Sequence, residues 1–218
     1  DHLDYFKNLD AVKESFRNFA ALVPENGHII CNGDDKNTMD ALVPLGRPLI
    51  TFGMSEKCQI RAVNIHDAST GFKKPGSEFD IMKDGKTVCR VHLKVPGHHN
   101  VMNALAAAAA ALTLNIPAEY IDKGLANFTG AGRRFEYKGT YNGALVYDDY
   151  AHHPSELRAL LDMVLALDYD RVIVAFQPHT YTRTKLLFDE FVQQLRRPAK
   201  VFLAEIYAAR EKNTIGIS

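Results

Sequence analysis

Residues 97–117 read GHHNVMNALAAAAAALTLNIP and join a polar start to a long alanine-rich run. The alanines and leucines favour a buried helix. Asn100 and Asn103 are three residues apart, so on a helix they share one face. Asn100 could be the N-cap, but Asn103 would lie inside the helix, where asparagine is unfavourable. Because an amide both donates and accepts hydrogen bonds, two amides on one face suit a heterocycle edge such as adenine.

The segment before this helix alternates between apolar and polar residues, which is typical of half-buried strands. Its alternating apolar positions are Phe79, Ile81, Cys89, Val91 and Leu93. The pair Asp84-Gly85 separates the two runs and predicts a hairpin. Residues 59–68 are predicted to add a third strand to this antiparallel patch.

The start of the chain has a different order. A helix is predicted over 10–22, followed by a strand over 28–32, a short helix near 37–42 and a strand over 48–52. Strand–helix–strand order favours parallel pairing of the two strands. A further helix is predicted near 118–127.

Residues 129–132 (TGAG) are the best candidate for a domain boundary. Two strands, over 134–141 and 144–148, are predicted to meet at Asn142-Gly143. After them come a helix opened by Pro154, a strand over 171–176, a helix around 188–195 and a strand over 200–204. This alternation predicts a doubly wound α/β sheet.

Composition excludes several classes of protein. Lys+Arg and Asp+Glu both number 26, which gives no global case for binding nucleic acid or an anionic membrane. The three cysteines are far apart without a Cys-x-x-Cys pair, so reduced cytosolic thiols are expected. We find neither an apolar run typical of a membrane span nor a signal peptide.

Polar clusters follow three consecutive predicted strands, at residues 148–154, 177–183 and 205–212. Ligands of open α/β sheets bind beyond the carboxyl ends of strands, so these clusters predict one shared site.

Each cluster also has a structural interpretation. Asp148, Asp149 or Ser155 could cap the following helix, and His152 and His153 could be exposed residues of its first turn. Arg183 could pair with Asp189. A metal site built from Asp148, Asp149, His152 and His153 is disfavoured, because adjacent residues rarely face one ion. Residues 1–4 (DHLD) could instead form part of a Mg²⁺ site.

These motifs together resemble the Mur ligase family, the ATP-dependent amide-forming enzymes of peptidoglycan synthesis. The resemblance runs nearly end to end and is closest to the members that attach L-alanine to UDP-N-acetylmuramate. The matching segments are 1–4 (DHLD), 97–107 (GHHNVMNALAA), 132–136 (GRRFE), 148–154 (DDYAHHP), 177–184 (QPHTYTRT) and 206–212 (IYAAREK).

The resemblance implies a mixed α/β fold. Residues 1–130 would be part of a central ATPase-type domain with a mixed sheet and helices. Residues 131–218 would be part of a Rossmann-like, amino-acid-binding C-terminal domain. The lactyl carboxylate of UDP-N-acetylmuramate would attack the γ-phosphate of ATP, and the amine of L-alanine would then displace phosphate from the acyl phosphate. Mg²⁺ and positive side chains would offset the developing charge.

The resemblance also implies roles for individual residues. His2 would bind the second Mg²⁺, while His99, Asn100 and Asn103 would hold adenine. Arg134 would contact the ATP phosphates and Asp149 the ribose. The side where the amino acid enters would be lined by Tyr150, His152, His179 and Arg183. Arg183 would hold the alanine carboxylate. The catalytic candidates are His2, Arg134, His152 and Arg183.

Large parts of the family pattern do not occur in this sequence. A phosphate loop ending in Gly-Lys-Thr, the glutamate for the first Mg²⁺ and the UDP-binding domain are missing from these 218 residues. Some relatives carry arginine where this chain has Thr180. We therefore expect a piece of a bacterial cytoplasmic ligase, with no ligase activity by itself.

Three other functions stay open at this point. A ligase that recycles a preformed tripeptide, or a folylpolyglutamate synthetase, would share much of the pattern. A non-catalytic nucleotide-binding module would explain the missing phosphate loop. A metal-dependent hydrolase could use the aspartates and histidines of 148–153.

Overall fold

The computed structural model describes residues 6–67, 76–167 and 169–218. The described residues divide into two compact units, the first ending at Thr129 and the second comprising Gly130–Ser218. Within these residues, helices long and apolar enough to cross a membrane are absent.

The first unit is a five-stranded mixed sheet with four α-helices. Its elements are α1 (Leu9–Ala21), β1 (Ile29–Asn32), α2 (Lys36–Leu42), β2 (Leu49–Gly53), β3 (Ile60–Asp67), β4 (Ser77–Lys83), β5 (Lys86–Leu93), α3 (His98–Thr113) and α4 (Ala118–Asn127). The strands follow the order β1-β2-β3-β4-β5. The parallel pairing predicted for β1 and β2 is confirmed, with Ile29 opposite Leu49.

The predicted third antiparallel strand joins both halves of this sheet. β3 pairs antiparallel with β4, as predicted, but it also pairs parallel with β2. The hairpin between β4 and β5 turns at Asp84 and Gly85, with φ values of 50° and 78°. Both residues therefore have left-handed conformations, as a type I′ turn requires.

Helix α3 provides one side of the main core of this unit. Its buried residues recur with helical spacing and pack with the strand residues Phe79, Ile81 and Val91. They are Val101, Ala104, Leu105, Ala108 and Ala109. The alanine run predicted to be a packing surface is therefore confirmed as one.

A carboxylate connects the loops that follow β1 and β2. Asp34 accepts hydrogen bonds from the backbone N–H of Met54 at 2.5 Å and of Ser55 at 3.3 Å. The thiol of Cys58 also donates to it, at 3.4 Å. Burial alone would raise the pKa of Asp34, but the hydrogen bonds from Ser55 and Met54 hold it below its ordinary value. All three cysteines are free thiols.

The second unit contains two small sheets and three helices. Its elements are β6 (Glu136–Tyr141), β7 (Ala144–Asp148), α5 (Pro154–Ala166), β8 (Ile173–Phe176), α6 (Tyr181–Leu186), α7 (Phe188–Leu195) and β9 (Lys200–Leu203). The predicted hairpin of β6 and β7 is confirmed. β8 and β9 pair parallel, as α/β order favours.

One expectation for this unit is wrong. Across the described part of the second unit, β7 pairs only with β6, so one doubly wound sheet through β7, β8 and β9 does not form. The tight turn at Asn142 and Gly143 brings β7 back onto β6 and makes a separate hairpin. Helix α6, for which no prediction was made, begins within the polar cluster at 177–183. The core of the unit is centred on Leu157, Phe176 and Phe191.

Candidate functional site

The first turn of α3 holds the three candidate adenine-binding residues of the first unit. Gly97 is the N-cap, with φ 98°, so the alternative in which Asn100 caps the helix is wrong. Asn100 instead lies in the first turn and donates from Nδ2 to the Pro96 carbonyl at 2.7 Å. His99 and Asn103 are exposed, whereas Asn100 is half-buried. The turn thus places two amides and an imidazole close together on one helix.

Asp149 fixes the segment that carries Arg134. One carboxylate oxygen accepts the backbone N–H of Phe135 and the other that of Ala151, each at 2.8 Å. Arg133 and Phe135 both have left-handed backbone conformations, with φ values of 58° and 48°. Because non-glycine residues rarely adopt this conformation, the two bonds to Asp149 help to stabilise an unusual turn.

Helix α5 is capped by His153, not by Asp148, Asp149 or Ser155. The His153 ring accepts the backbone N–H of Ser155 at 3.3 Å, and Glu156 completes a capping box. Burial, with the nearby positive charge of Arg183, lowers the pKa of His153. A neutral ring is required here, because only an unprotonated nitrogen can accept the N–H.

Glu156 connects two candidate site residues. Its Oε2 accepts the backbone N–H of His152 at 2.9 Å and of His153 at 3.2 Å. Its Oε1 lies 3.5 Å from a guanidinium nitrogen of Arg134. Burial alone would raise the pKa of Glu156, but the His152 N–H and the positive charge of Arg134 contribute to holding it below its ordinary value.

Aromatic rings connect the three polar clusters. The ring of His152 lies edge to face with those of Tyr150 and His179, at centroid distances of 5.3 Å and 6.0 Å. His179 in turn stacks on Tyr207, with centroids 5.6 Å apart. The three segments therefore meet, as the strand-end rule predicted, although β7 is not in the sheet of β8 and β9.

Arg183 contacts His179 directly. Its Nη1 lies 3.3 Å from Nδ1 of His179 and donates to the His179 carbonyl at 3.1 Å. Burial lowers the pKa of His179, as do the charges of Arg183 and His152. A guanidinium is therefore held beside a neutral imidazole, which leaves a fixed positive charge suited to a carboxylate.

The start of α6 is held by a carboxylate from far along the chain. Glu211 accepts from Thr180 Oγ1 at 2.7 Å, from the Thr182 backbone N–H at 2.9 Å and from the Thr182 hydroxyl. Burial alone would raise the pKa of Glu211, but the hydrogen bonds from Thr182 and Thr180 lower it. Thr180 therefore contacts Glu211, which orients the segment that carries Arg183.

The metal predictions have little support in the described residues. His2 lies outside them, and groups of three or more histidine, cysteine, aspartate or glutamate side chains that could hold a metal ion are absent from the part described.

Sequence reasoning missed four residues that shape this region. Arg133 lies over the ring of Tyr150, with its guanidinium carbon 4.5 Å from the centroid. The others are Glu156, Tyr207 and Glu211. The position of Glu156, three residues after the cap, is a capping-box signal that could have identified it. Tyr207 and Glu211 lie in the predicted polar cluster at 205–212, but their individual roles depend on tertiary contacts.

Comparison with known proteins identifies both halves of the chain. A family model for the Mur ligase middle domain matches residues 1–111, and one for the Mur ligase, glutamate ligase domain matches residues 133–214. UDP-N-acetylmuramate–L-alanine ligases of Acetivibrio thermocellus and Clostridium beijerinckii are 45% and 42% identical, each over 98% of the chain. The chain spans about half the length of these curated relatives, 45% and 46% respectively.

Solved structures agree with this match. The UDP-N-acetylmuramate–alanine ligase MurC of Thermotoga maritima is 26% identical, with a TM-score of 0.72 over 95% of this chain and 44% of that one. A murein peptide ligase of Psychrobacter arcticus is 25% identical, with a TM-score of 0.64 over 91% of this chain and 41% of that one. Folylpolyglutamate synthetase of Lactobacillus casei shares the fold, with a TM-score of 0.67 over 94% of this chain and 50% of that one, at 14% identity. With family models matching more than half of its residues, the chain belongs to the Mur ligase family.

Proposed function

We propose that this chain supplies the adenine-binding and amino-acid-binding parts of an ATP-dependent ligase that joins L-alanine to UDP-N-acetylmuramate. The proposed setting is peptidoglycan synthesis in the bacterial cytoplasm. The observation that carries the proposal is the 45% identity, over 98% of the chain, to a relative named for this reaction. The geometry of the second unit supports it independently.

The amino-acid side is proposed to use the cluster around His179. Arg183 is the group for the carboxylate of L-alanine, because a guanidinium binds a carboxylate through two parallel hydrogen bonds. His152, His179 and Tyr150 would line the rest of this side. The support is the contact of Arg183 with His179 and the proximity of the His152 and His179 rings.

The nucleotide contacts are proposed for each unit by itself. Asn100, Asn103 and His99 would contact adenine, and the exposed amide of Asn103 offers both a donor and an acceptor. Arg134 would contact the phosphates, with Glu156 holding its guanidinium. Asp149 accepts one backbone N–H on each oxygen, so a ribose hydroxyl would use its remaining lone pairs.

In the proposed reaction, the lactyl carboxylate attacks the γ-phosphorus of ATP, ADP leaves, and an acyl phosphate forms. The amine of L-alanine then attacks the acyl carbon, phosphate leaves, and the nitrogen loses a proton to give the amide. Arg134 and Arg183 bind and orient the anionic groups of the two substrates. Mg²⁺ would offset phosphate charge, and His2 is its proposed ligand.

A ligase assay tests this function. A protein of the relatives' length that contains this chain is incubated with ATP, UDP-N-acetylmuramate and L-alanine, and the amide product and phosphate are measured. We expect product only when all three substrates are present. Product with a preformed tripeptide but not with L-alanine would favour the recycling ligase. ATP binding without product for either amine would favour a nucleotide-binding module.

A further inference from the structure

His152 and His179 are neighbouring imidazoles whose proton positions are set by different partners. Their rings lie edge to face with centroids 6.0 Å apart. The hydrogen-bonding role of each Nδ1 follows from what its partner can do, because a carbonyl only accepts and a guanidinium only donates. The tautomer of each neutral ring can therefore be read from its contacts.

The Nδ1 atom of His152 must carry a hydrogen. It lies 2.9 Å from the carbonyl oxygen of Tyr150 and 3.3 Å from Oε2 of Glu156. Both of these atoms are acceptors, since the depressed pKa of Glu156 keeps its carboxylate ionised. In the neutral ring, Nε2 of His152 therefore has a free lone pair and accepts hydrogen bonds.

The Nδ1 atom of His179 has the opposite role. Nη1 of Arg183 lies 3.3 Å from it and cannot accept a hydrogen bond. The carbonyl of His179 itself, which a ring N–H could also reach, already accepts from Nη1 of Arg183 at 3.1 Å. Nδ1 of His179 is therefore unprotonated, and the single ring hydrogen is on Nε2. Nε2 of His179 is a donor.

We propose that His152 and His179 are held in opposite tautomers, and that Glu156 is the positioning residue that maintains the first of them. Glu156 contributes in two ways. It lies close to the His152 ring, and it accepts the backbone N–H groups of His152 and His153 at 2.9 Å and 3.2 Å. These two backbone hydrogen bonds fix the segment that carries the His152 side chain.

Opposite tautomers give the amino acid an orientation, a consequence that rests on the proposed function. Nε2 of His152 accepts, so it suits the ammonium group of the substrate. Nε2 of His179 donates, and His179 contacts Arg183, the residue proposed to bind the substrate carboxylate. Nε2 of His179 therefore suits that carboxylate. A ligand with a donor at one end and an acceptor at the other would then bind in one direction only.

Nitrogen NMR of histidine-labelled protein tests the tautomers without any substrate. Spectra are recorded at about pH 8.5, well above the ordinary imidazole pKa. His152→Gln and His179→Gln variants assign the two sets of signals. We expect a protonated-type shift for Nδ1 of His152 and an unprotonated-type shift for Nδ1 of His179. Equal patterns for both rings, or averaged shifts for both, would overturn the proposal.

Two substitutions separate the contributions of Glu156. Glu156→Ala removes the acceptor of both backbone N–H groups. The nitrogen chemical shifts of His152 should therefore move towards the average of the two tautomers. Glu156→Gln keeps an amide oxygen that accepts these bonds, so it should retain most of the wild-type pattern even if the alanine variant folds poorly. Glu119→Gln is the matched control, because Glu119 is an exposed acid in the first turn of α4. A His152 pattern unchanged in Glu156→Ala would remove Glu156 from the positioning role.

Kinetics in the ligase assay complete the test. Glu156→Ala should raise the KM for L-alanine about tenfold, the loss expected for a hydrogen bond to a charged group. Glu156→Gln should rescue most of that loss, and Glu119→Gln should leave KM unchanged. A KM for L-alanine in Glu156→Ala equal to that of the wild-type protein would contradict the positioning role of Glu156. If the wild-type protein forms no amide at all, the proposed function fails, whereas the nitrogen shifts still decide the tautomers.

Discussion

At the scale of single residues, two asparagines of one helical turn have different structural roles. Asn100 donates to the Pro96 carbonyl and braces the chain before α3. Asn103, three residues further along, is exposed. Sequence spacing predicted that they share a face, but it could not separate a structural amide from one available to a ligand.

Replacement of Asn103 by alanine should weaken ATP binding while the fold is retained. One lost hydrogen bond corresponds to about a threefold to tenfold loss of affinity. Isothermal titration of ATP into a protein of the relatives' length measures the affinity, and circular dichroism checks the fold. Asn100→Ala should in addition lower thermal stability, because it removes the bond to Pro96. ATP affinity unchanged in Asn103→Ala would remove Asn103 from the site.

Asp34 predicts a pH dependence of stability. Its folded-state pKa is lower than its ordinary value of 3.8, so its contribution is present above that pH and is lost as the pH falls through the folded-state pKa. When the pH is lowered below about 4, the free energy of unfolding of Asp34→Asn should therefore fall less than that of the wild-type protein. Urea titrations across this pH range measure it. Asp84→Asn, in the exposed turn of the hairpin, is the control, and equal curves for wild type and Asp34→Asn would refute the prediction.

At the scale of helices and strands, local signals predicted most elements of the fold. Hydrophobic spacing located α1, α3 and α4, and the two-residue turns located both hairpins. The errors arose where pairing depends on distant residues. The partner of β7 is set by its turn, and β3 pairs on both sides. Helix α6 has only six residues and begins at bonds to Glu211, so its own sequence carries little periodicity.

The alanine-rich helix α3 depends on one large residue for much of its packing. Leu105 is completely buried in the core cluster that α3 shares with the sheet, and it is the largest buried side chain of α3. Leu105→Ala should lower the free energy of unfolding by about 3 kcal/mol, within the usual range for a buried leucine. Leu105→Met, which conserves volume, should cost less than about 1.5 kcal/mol. Chemical denaturation followed by circular dichroism distinguishes these values, and similar losses in both variants would contradict the packing argument.

At the scale of the whole molecule, sequence and structure support different parts of the site. The motifs predicted the family and the cluster of His152, His179 and Arg183 in the second unit. They did not predict the carboxylates of Glu156 and Glu211 that hold these residues, because both act through hydrogen bonds formed only in the folded chain. The sequence thus predicted the residues proposed to contact substrates, but not the carboxylates that hold them.

The isolated 218-residue chain should form no amide product. It spans less than half the length of several ligases that it matches, and it contains no glycine-rich phosphate loop, because its Gly-Lys-Thr at 85–87 lies at the hairpin between β4 and β5. The measurement is phosphate release with ATP, UDP-N-acetylmuramate and L-alanine, compared with a protein of the relatives' length. Release by the isolated chain that depends on all three substrates would refute this prediction.

The bonds from Glu211 to the start of α6 have a consequence for the order of events during translation. The ribosome makes Thr182 29 residues before Glu211, and Thr180 31 residues before it. A nascent chain that has emerged only as far as β9 lacks the carboxylate that holds these threonines. His179 and Arg183 therefore acquire their final arrangement late, after Glu211 has left the exit tunnel. A message truncated shortly before the codon for Glu211 would yield a chain that contains β9 but lacks the carboxylate that holds the start of α6.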